Sequence, residues 1–390
     1  MGWQCLLGWH KRIAEIAMTH LATLRELTLA QSPLGVHAYH EEAVFRTEML
    51  RLFHTQYVGH ELQVPERGDY SSLAHEAHGR VLINTETGIK LLSNICRHRQ
   101  AVMLKGSGNL NASNGKIICP LHRWTYEPDG RLLGAPHFAQ NPCKELAHTA
   151  LDSWQGLLFE KTHHLSELAL VQDKFDFSGY AFSHRVVHEC AYNWKTFIEV
   201  YLEDYHVEPF HPGLGQFVNC DNLDWQYGER FSLQTVGVKS ALNRFGTPVY
   251  QHWQETLKHY RLANGLPAVP EFGALWLTLY PNLMVEKYPQ VLVVSQLIPR
   301  SPQHTSNIVE FYFPEDIVHF EPGFVQAEQA AYMETCEEDD EIALRMDAGR
   351  KALMLRGEDD HGPYQSPMED GMLHFHEWYE REMKGEASSI

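Results

Sequence analysis

The sequence predicts an α+β chain, and three observations carry that prediction. Residues 57 to about 160 hold short β-rich runs, among them "RVLINTE", "GIKLLSNI", "KIICPL" and "WQGLLFE", separated by Gly, Asn and Pro turns. Longer strand-like runs return after about residue 180. Two stretches near the C-terminus, Phe324 to about Leu355 and "MEDGMLHFHEWYEREM", have helical periodicity instead. Antiparallel strands covered by long helices make an α+β architecture.

In chain order, residues 1–37 read as an extension. Its opening lacks an apolar core followed by a small-residue cleavage site, so no secretory signal is expected, and Met18 is an alternative initiator. Residues 38–56 place Val44, Met49, Leu52 and Phe53 at helical spacing and lead into the β-rich region. We set the first domain at 38–160 and the second at 161–390, with "HHLSELALVQDKFDFSGY" as connector. In the second, a helix is expected over Trp194–Tyr205. "ALWLTLYPNLMVEKYPQVLVVSQLIP" reads as two strands joined by "KYPQ", and "NIVEFYF" as a third.

Composition excludes several classes. Of 390 residues, 44% are hydrophobic and 21% charged, which suits a globular core. A net charge of −18 argues against nucleic acid, whose phosphates call for a basic surface. Seven cysteines scattered over the chain form no disulfide framework, so a cytoplasmic location is expected. The longest apolar runs fall short of a membrane span.

Two clusters carry metal chemistry. Cys96 and His98 form C-x-H, and Cys119 and His122 form C-x2-H, each in a loop after a β run. Zinc knuckles usually pair like with like, whereas each loop here offers one thiolate and one imidazole. That pattern suits a two-iron, two-sulfide cluster with two Cys on one iron and two His on the other, at roughly −150 to +300 mV. A structural zinc site is the competing reading of the same residues. The second cluster is "FIEVYLEDYHVEPFHPGL", with His206 and His211. A continuous helix cannot put both on one face, so Pro209 and Pro212 should break it and return His211 beside His206. Two imidazoles need one carboxylate to complete a facial triad for Fe(II).

"CRHR", "GSGN" and "CPLHRWTYEPDGRLLGAP" resemble the cluster loops of the Rieske non-heme iron ring-hydroxylating oxygenases, alpha subunit. "NWKTFIEVYLEDYHVEPFHPGL" is similar to that family's iron segment, and the likeness runs from about residue 38 to 382. It departs at Gln100 and Arg123, where the family usually has Gly.

The resemblance implies an N-terminal β-rich Rieske [2Fe-2S] domain and a C-terminal helix-grip, START-like catalytic domain. It implies that Cys96, His98, Cys119 and His122 hold the cluster and that His206 and His211 hold a mononuclear Fe(II). "CEEDDEIALRMDAGRKAL" is similar to the family's third-ligand helix and implies Asp339, with Asp340 and then Glu338 as alternatives; Asp347 stands where Gln is usual. Glu203 would link the iron site to a cluster His of a neighbouring subunit, as in the choline and carnitine monooxygenase branch, and Asn193 would lie near the iron. Arg97, Arg99 and Arg123 are candidates to guide reductase docking.

The implied partners are a flavin/iron–sulfur reductase or ferredoxin, O2, a small aromatic or quaternary ammonium substrate, and further copies of the chain in a homotrimer or its multiple. Phe217, Trp276, Tyr280 and Phe311 are candidates to line the substrate site. Two other readings remain at this stage: an electron-transfer or redox-sensing protein without oxygenase activity, and a zinc-stabilised binding protein.

Overall fold

The computed structural model describes residues 31–53, 57–160, 165–239 and 246–385. Most of the expected extension, Met18 included, lies outside them, as do His163 and His164 of the connector.

Between 57 and 160 the alternating runs build three small antiparallel sheets. Five strands pair in the order Ser107–Asn109, Asp69–Ser72, Arg80–Thr85, Gly88–Ser93 and His148–Thr149. Tyr57–His60, Leu157–Glu160 and Leu151–Trp154 form a second sheet. Ile117–Ile118, Thr125–Tyr126 and Leu132–Gly134 form the third. Val81, Ile83, Leu92, Ile117 and Tyr126 pack into one core that also encloses Cys96 and Cys119.

The second body is a seven-stranded antiparallel sheet. Its order is Tyr180–Cys190, His304–Pro314, Val291–Ser301, Leu283–Tyr288, Ala274–Leu279, Phe231–Val238 and Val218–Tyr227. The stretch expected as two strands forms three, because Tyr280, Pro281 and Asn282 turn the chain inside the apolar run. Pro281 has no amide to give the ladder, which is why the strand stops there.

A helix of 35 residues, Pro322–Arg356, lies across the sheet. Proline stands in its first turn, and Gly357 ends it in the left-handed conformation at φ +69°. Its Phe324, Ala327 and Ala331 pack with Phe311 and Phe313 of the sheet. Helices Pro248–Ala263 and Asp370–Lys384 complete the layer. Among the described residues, no helix is long and apolar enough to cross a membrane.

The helix Trp194–Tyr201 ends four residues before the expected Tyr205. A turn follows, then the short helix Val207–Phe210, with Pro209 tolerated in its first turn, where amides have no intrahelical partner anyway. Glu203 therefore sits in the turn and not on the helix, contrary to expectation.

The leading helix, Glu42–Arg51, packs on the second body. Its buried Glu48 accepts hydrogen bonds from Trp194 Nε1 at 2.9 Å, Lys195 Nζ at 2.6 Å and the Tyr379 hydroxyl at 2.5 Å. The β-rich domain thus leaves and re-enters the same body. The two share an apolar seam, in which Tyr57, Trp154 and Phe159 meet Phe231, Leu277 and Leu292. The Tyr57 hydroxyl donates across it to Glu310 at 2.7 Å.

Candidate metal centres and cavity

The two Cys/His loops are built alike. The Cys96 amide donates to Ala101 O at 2.9 Å and the Gln100 amide to Cys96 O at 3.1 Å; in the second loop, Cys119 reaches Trp124 O at 2.8 Å and Arg123 reaches Cys119 O at 3.1 Å. Gln100 at φ +56° and Arg123 at φ +62° both occupy the left-handed region. These are the two positions where the sequence departs from glycine, and a β-carbon there is strained.

Both thiols are buried, and the His98 and His122 rings stand 4.6 Å apart towards the surface. Trp124 stacks on His98 at 5.0 Å. His98 Nδ1 is buried with no hydrogen-bond partner. An orphaned ring nitrogen beside two buried thiols fits a metal-cluster donor set. The Tyr126 hydroxyl lies 3.6 Å from Cys96 Sγ and accepts the Arg97 amide at 3.1 Å.

The second site forms where the broken helix meets the long one. His206 Nε2 and His211 Nε2 are 3.0 Å apart, and Asp339 Oδ1 is 3.4 Å from the first and 3.0 Å from the second. Ligands about 2.1 Å from one ion and at right angles lie about 3 Å from each other, so this set suits an open octahedral site. Asp339 Oδ1 is buried and meets neither imidazole in hydrogen-bond geometry. The opposite ring nitrogens are engaged: His206 Nδ1 contacts Glu203, and His211 Nδ1 lies 2.7 Å from Glu338 Oε2. With Nδ1–H given to carboxylates, both Nε2 lone pairs face the gap, an arrangement that a cation relieves. Burial pulls the His206 imidazole down, but Asp339 and Glu203 outweigh it and push it up to about 10.

The three successive acids part ways because a helix turns about 100° per residue. Asp339 faces the imidazoles and Glu338 supports His211 from outside. Asp340 points elsewhere, with Oδ2 at 2.8 Å from His188 Nε2 and Oδ1 accepting from Tyr192 at 2.7 Å. Asp347 is buried and accepts the Asn193 amide at 2.9 Å, which puts a negative charge at the start of helix Trp194–Tyr201. The Asn193 side chain caps that helix by accepting from the Lys195 amide at 2.9 Å and donates to Tyr39 O and Pro302 O; it is not among the residues that line the cavity.

The cavity, about 900 Å³ of free space when the open solvent at its mouth is included, is lined by Glu203, His206, His211 and Asp339 among others. Phe217 and Trp276 line it as expected. Tyr280 instead borders a separate depression and pairs with His374 Nδ1 at 2.9 Å, and Phe311 lies in the core stacked on His184. Most of the lining escaped the sequence reading, including three buried acids, Asp204, Glu286 and Glu328. A signal existed for one: Glu328, Tyr332, Thr335 and Asp339 recur at helical spacing and all line the cavity.

This chain belongs to the ring-hydroxylating oxygenases: residues 177–385 match the family described as ring hydroxylating alpha subunit (catalytic domain), and residues 54–154 match the Rieske [2Fe-2S] domain. It is a terminal oxygenase with a Rieske cluster and mononuclear iron, fed by a reductase or ferredoxin and acting with O2 on a small molecule. The sensor and zinc-protein readings do not fit this membership.

Among its relatives, putrescine 2-hydroxylase of Ralstonia nicotianae is 59% identical over 94% of this chain and 100% of its own. The Bordetella bronchiseptica enzyme of the same name is 52% identical over 95% of this chain and 89% of its own. The glycine betaine monooxygenase oxygenase subunit of Chromohalobacter salexigens is 25% identical, over 87% and 83%. A solved quaternary ammonium Rieske monooxygenase shares the fold, with TM-score 0.72 over 92% of this chain and 96% of that one at 20% identity.

Proposed function

We propose that this oxygenase hydroxylates a short aliphatic diamine of the putrescine type, on the carbon next to an aminomethyl group. The observation that carries this is near full-length similarity, at 59% and 52% identity, to two putrescine 2-hydroxylases. The quaternary ammonium substrates of the sequence expectation share a cationic nitrogen with a diamine; the aromatic ones do not.

In this reading Cys96, His98, Cys119 and His122 hold the cluster, and His206, His211 and Asp339 hold the iron. When bound, these groups store single electrons and activate O2. The net change is R–H + O2 + 2 e⁻ + 2 H⁺ → R–OH + H2O, with the electrons supplied by the reductase. Glu203 and Glu338 keep the two imidazoles in one tautomer, so that their Nε2 atoms stay free for metal. Asp347 and the Asn193 cap hold the helix that positions them. Aromatic walls keep bulk water from the reacting carbon. Further, we assign the working form to a cytoplasmic homotrimer in which the surface-facing cluster imidazoles of one subunit approach Glu203 of the next.

Reconstituted enzyme, reductase and putrescine under ¹⁸O2 test the reading by mass spectrometry. One ¹⁸O in hydroxyputrescine is expected. His206→Ala should lose both that product and the mononuclear iron while the visible spectrum of the cluster stays. Unlabelled product, or turnover that survives His206→Ala, overturns it.

A further inference from the structure

Five glutamates are buried among the described residues: Glu48, Glu199, Glu286, Glu310 and Glu328. Burying a carboxylate without a cation is costly, and proteins usually pair it. Three of the five follow the rule. Glu48 meets Lys195 at 2.6 Å, Glu310 meets Arg185 at 2.7 Å, and Glu199 meets Arg350 at 2.5 Å. Glu286 and Glu328 have no ion pair among the described residues, and both line the cavity of the iron site.

Their settings differ from ordinary core positions. Glu286 is 1% exposed, on strand Leu283–Tyr288, opposite Trp276 in the sheet. It accepts from the hydroxyls of Tyr288 at 2.6 Å and Tyr332 at 2.8 Å. Glu328 is 4% exposed on the long helix, and its one hydrogen bond among the described residues comes from the Trp253 indole. The other titratable groups lining the cavity are Tyr192, Tyr201, Tyr250, Tyr288, Tyr332 and Cys336, all held protonated by burial, then Asp204, which burial raises to about 7 and which accepts from Gln234, and Glu203, His206, His211 and Asp339 at the iron site. Among the described residues no lysine or arginine lines the cavity, and neither acid has an ion pair. Burial raises Glu286 to about 7 and Glu328 to about 8, as unpaired carboxyls in an apolar wall should be.

The helix also sets an order. Glu328 and Asp339 are eleven positions apart on one stripe, about 16 Å along the axis. Tyr332, one turn after Glu328, reaches Glu286, which places Glu286 on the iron side.

We infer that Glu286 and Glu328 are the counter-ions of the substrate's two ammonium groups, Glu286 for the one beside the reacting carbon and Glu328 for the far one. The inference rests on the diamine reading above and deepens it. Trp253, Trp276 and Tyr332 add faces on which an ammonium is attracted. The pair selects diamines over monoamines, since only a second ammonium gains an ion pair with Glu328.

The test is calorimetric binding of putrescine and of 1-butylamine to the holoenzyme, with product formation measured alongside. Glu328→Gln should weaken putrescine about thirtyfold or more, the scale of losing one partner of a buried charge pair, and leave 1-butylamine within about twofold. Glu286→Gln should weaken both. Iron content and cluster spectrum should stay at wild-type values. Equal weakening of both ligands by Glu328→Gln, or none, overturns the assignment.

Wild-type protein gives a second measurement independent of any variant. Putrescine binding at pH 7.5 should release about one proton, seen by comparing buffers of different ionisation enthalpy, because the entering ammoniums ionise the carboxyls. No release overturns it. If wild-type enzyme hydroxylates putrescine while both variants bind like it, only the carboxylate assignment falls. If wild-type enzyme makes no hydroxylated diamine, the function reading falls and the inference with it.

Discussion

Replacing Glu328 by glutamine should stabilise the substrate-free protein, and only at high pH. The folded carboxyl titrates near 8, against an ordinary 4.5, because burial penalises its charged form. The stability that a neutral buried carboxyl contributes is complete below pH 4.5 and is lost as pH rises through 8. At pH 8 the unfolded chain has long since given up that proton. Integrating over the gap at ~1.4 kcal/mol per pH unit gives a penalty of about 4 kcal/mol at pH 8, against under about 1 kcal/mol at pH 5. Glutamine keeps the volume and an acceptor for the Trp253 indole, and removes the charge.

The assay is anaerobic differential scanning calorimetry from pH 5 to 8. The variant's midpoint should exceed wild type by roughly 5 °C at pH 8 and converge with it to about 1 °C at pH 5. Saturating putrescine should reverse the order at pH 8, because the ligand supplies the missing cation. A midpoint difference that does not change with pH, or a variant less stable than wild type at pH 8, would refute the reasoning.

Other expectations follow from the geometry. Asp339→Asn should lower mononuclear iron occupancy at least tenfold in metal analysis, whereas Asp340→Asn should keep the iron, since Asp340 serves His188 and Tyr192. Gln100→Gly should raise stability by about 1 kcal/mol in denaturant titration with the cluster retained, by relieving the β-carbon at φ +56°. Glu48→Ala strands the wholly buried Lys195 and should cost about 3–5 kcal/mol; Glu48→Ala with Lys195→Met should recover most of it.

The sequence showed the metal chemistry because ligand spacing is local. Cys96-x-His98 and Cys119-x2-His122 are set within single loops. His206 and His211 could be paired from the prolines around them, although the break comes earlier than those prolines suggested. The choice among Glu338, Asp339 and Asp340 depends on the phase of a helix against its neighbours, which only packing decides. Glu286 was not legible for the same reason, and Glu328 only through its helical spacing to Asp339. A glutamate in "LMVEKYPQ" or "VQAEQAAY" has the local signature of a solvated position, and its burial is a tertiary fact. The strand between Pro281 and Pro289 was missed by weighing the apolar run above the proline that interrupts it.

The packing of Glu42–Arg51 on the second body makes the cluster-bearing module an insertion, tethered at both ends to a single frame. A module hung from one linker could pivot, and the tunnelling distance from its cluster would wander with it. Two attachment points and an apolar seam remove that freedom, so folding alone fixes where each chain carries its cluster loops relative to its own frame. Cutting the peptide between Leu52 and Tyr57 would leave every ligand in place and make the seam and one connection carry alone what two attachments now share.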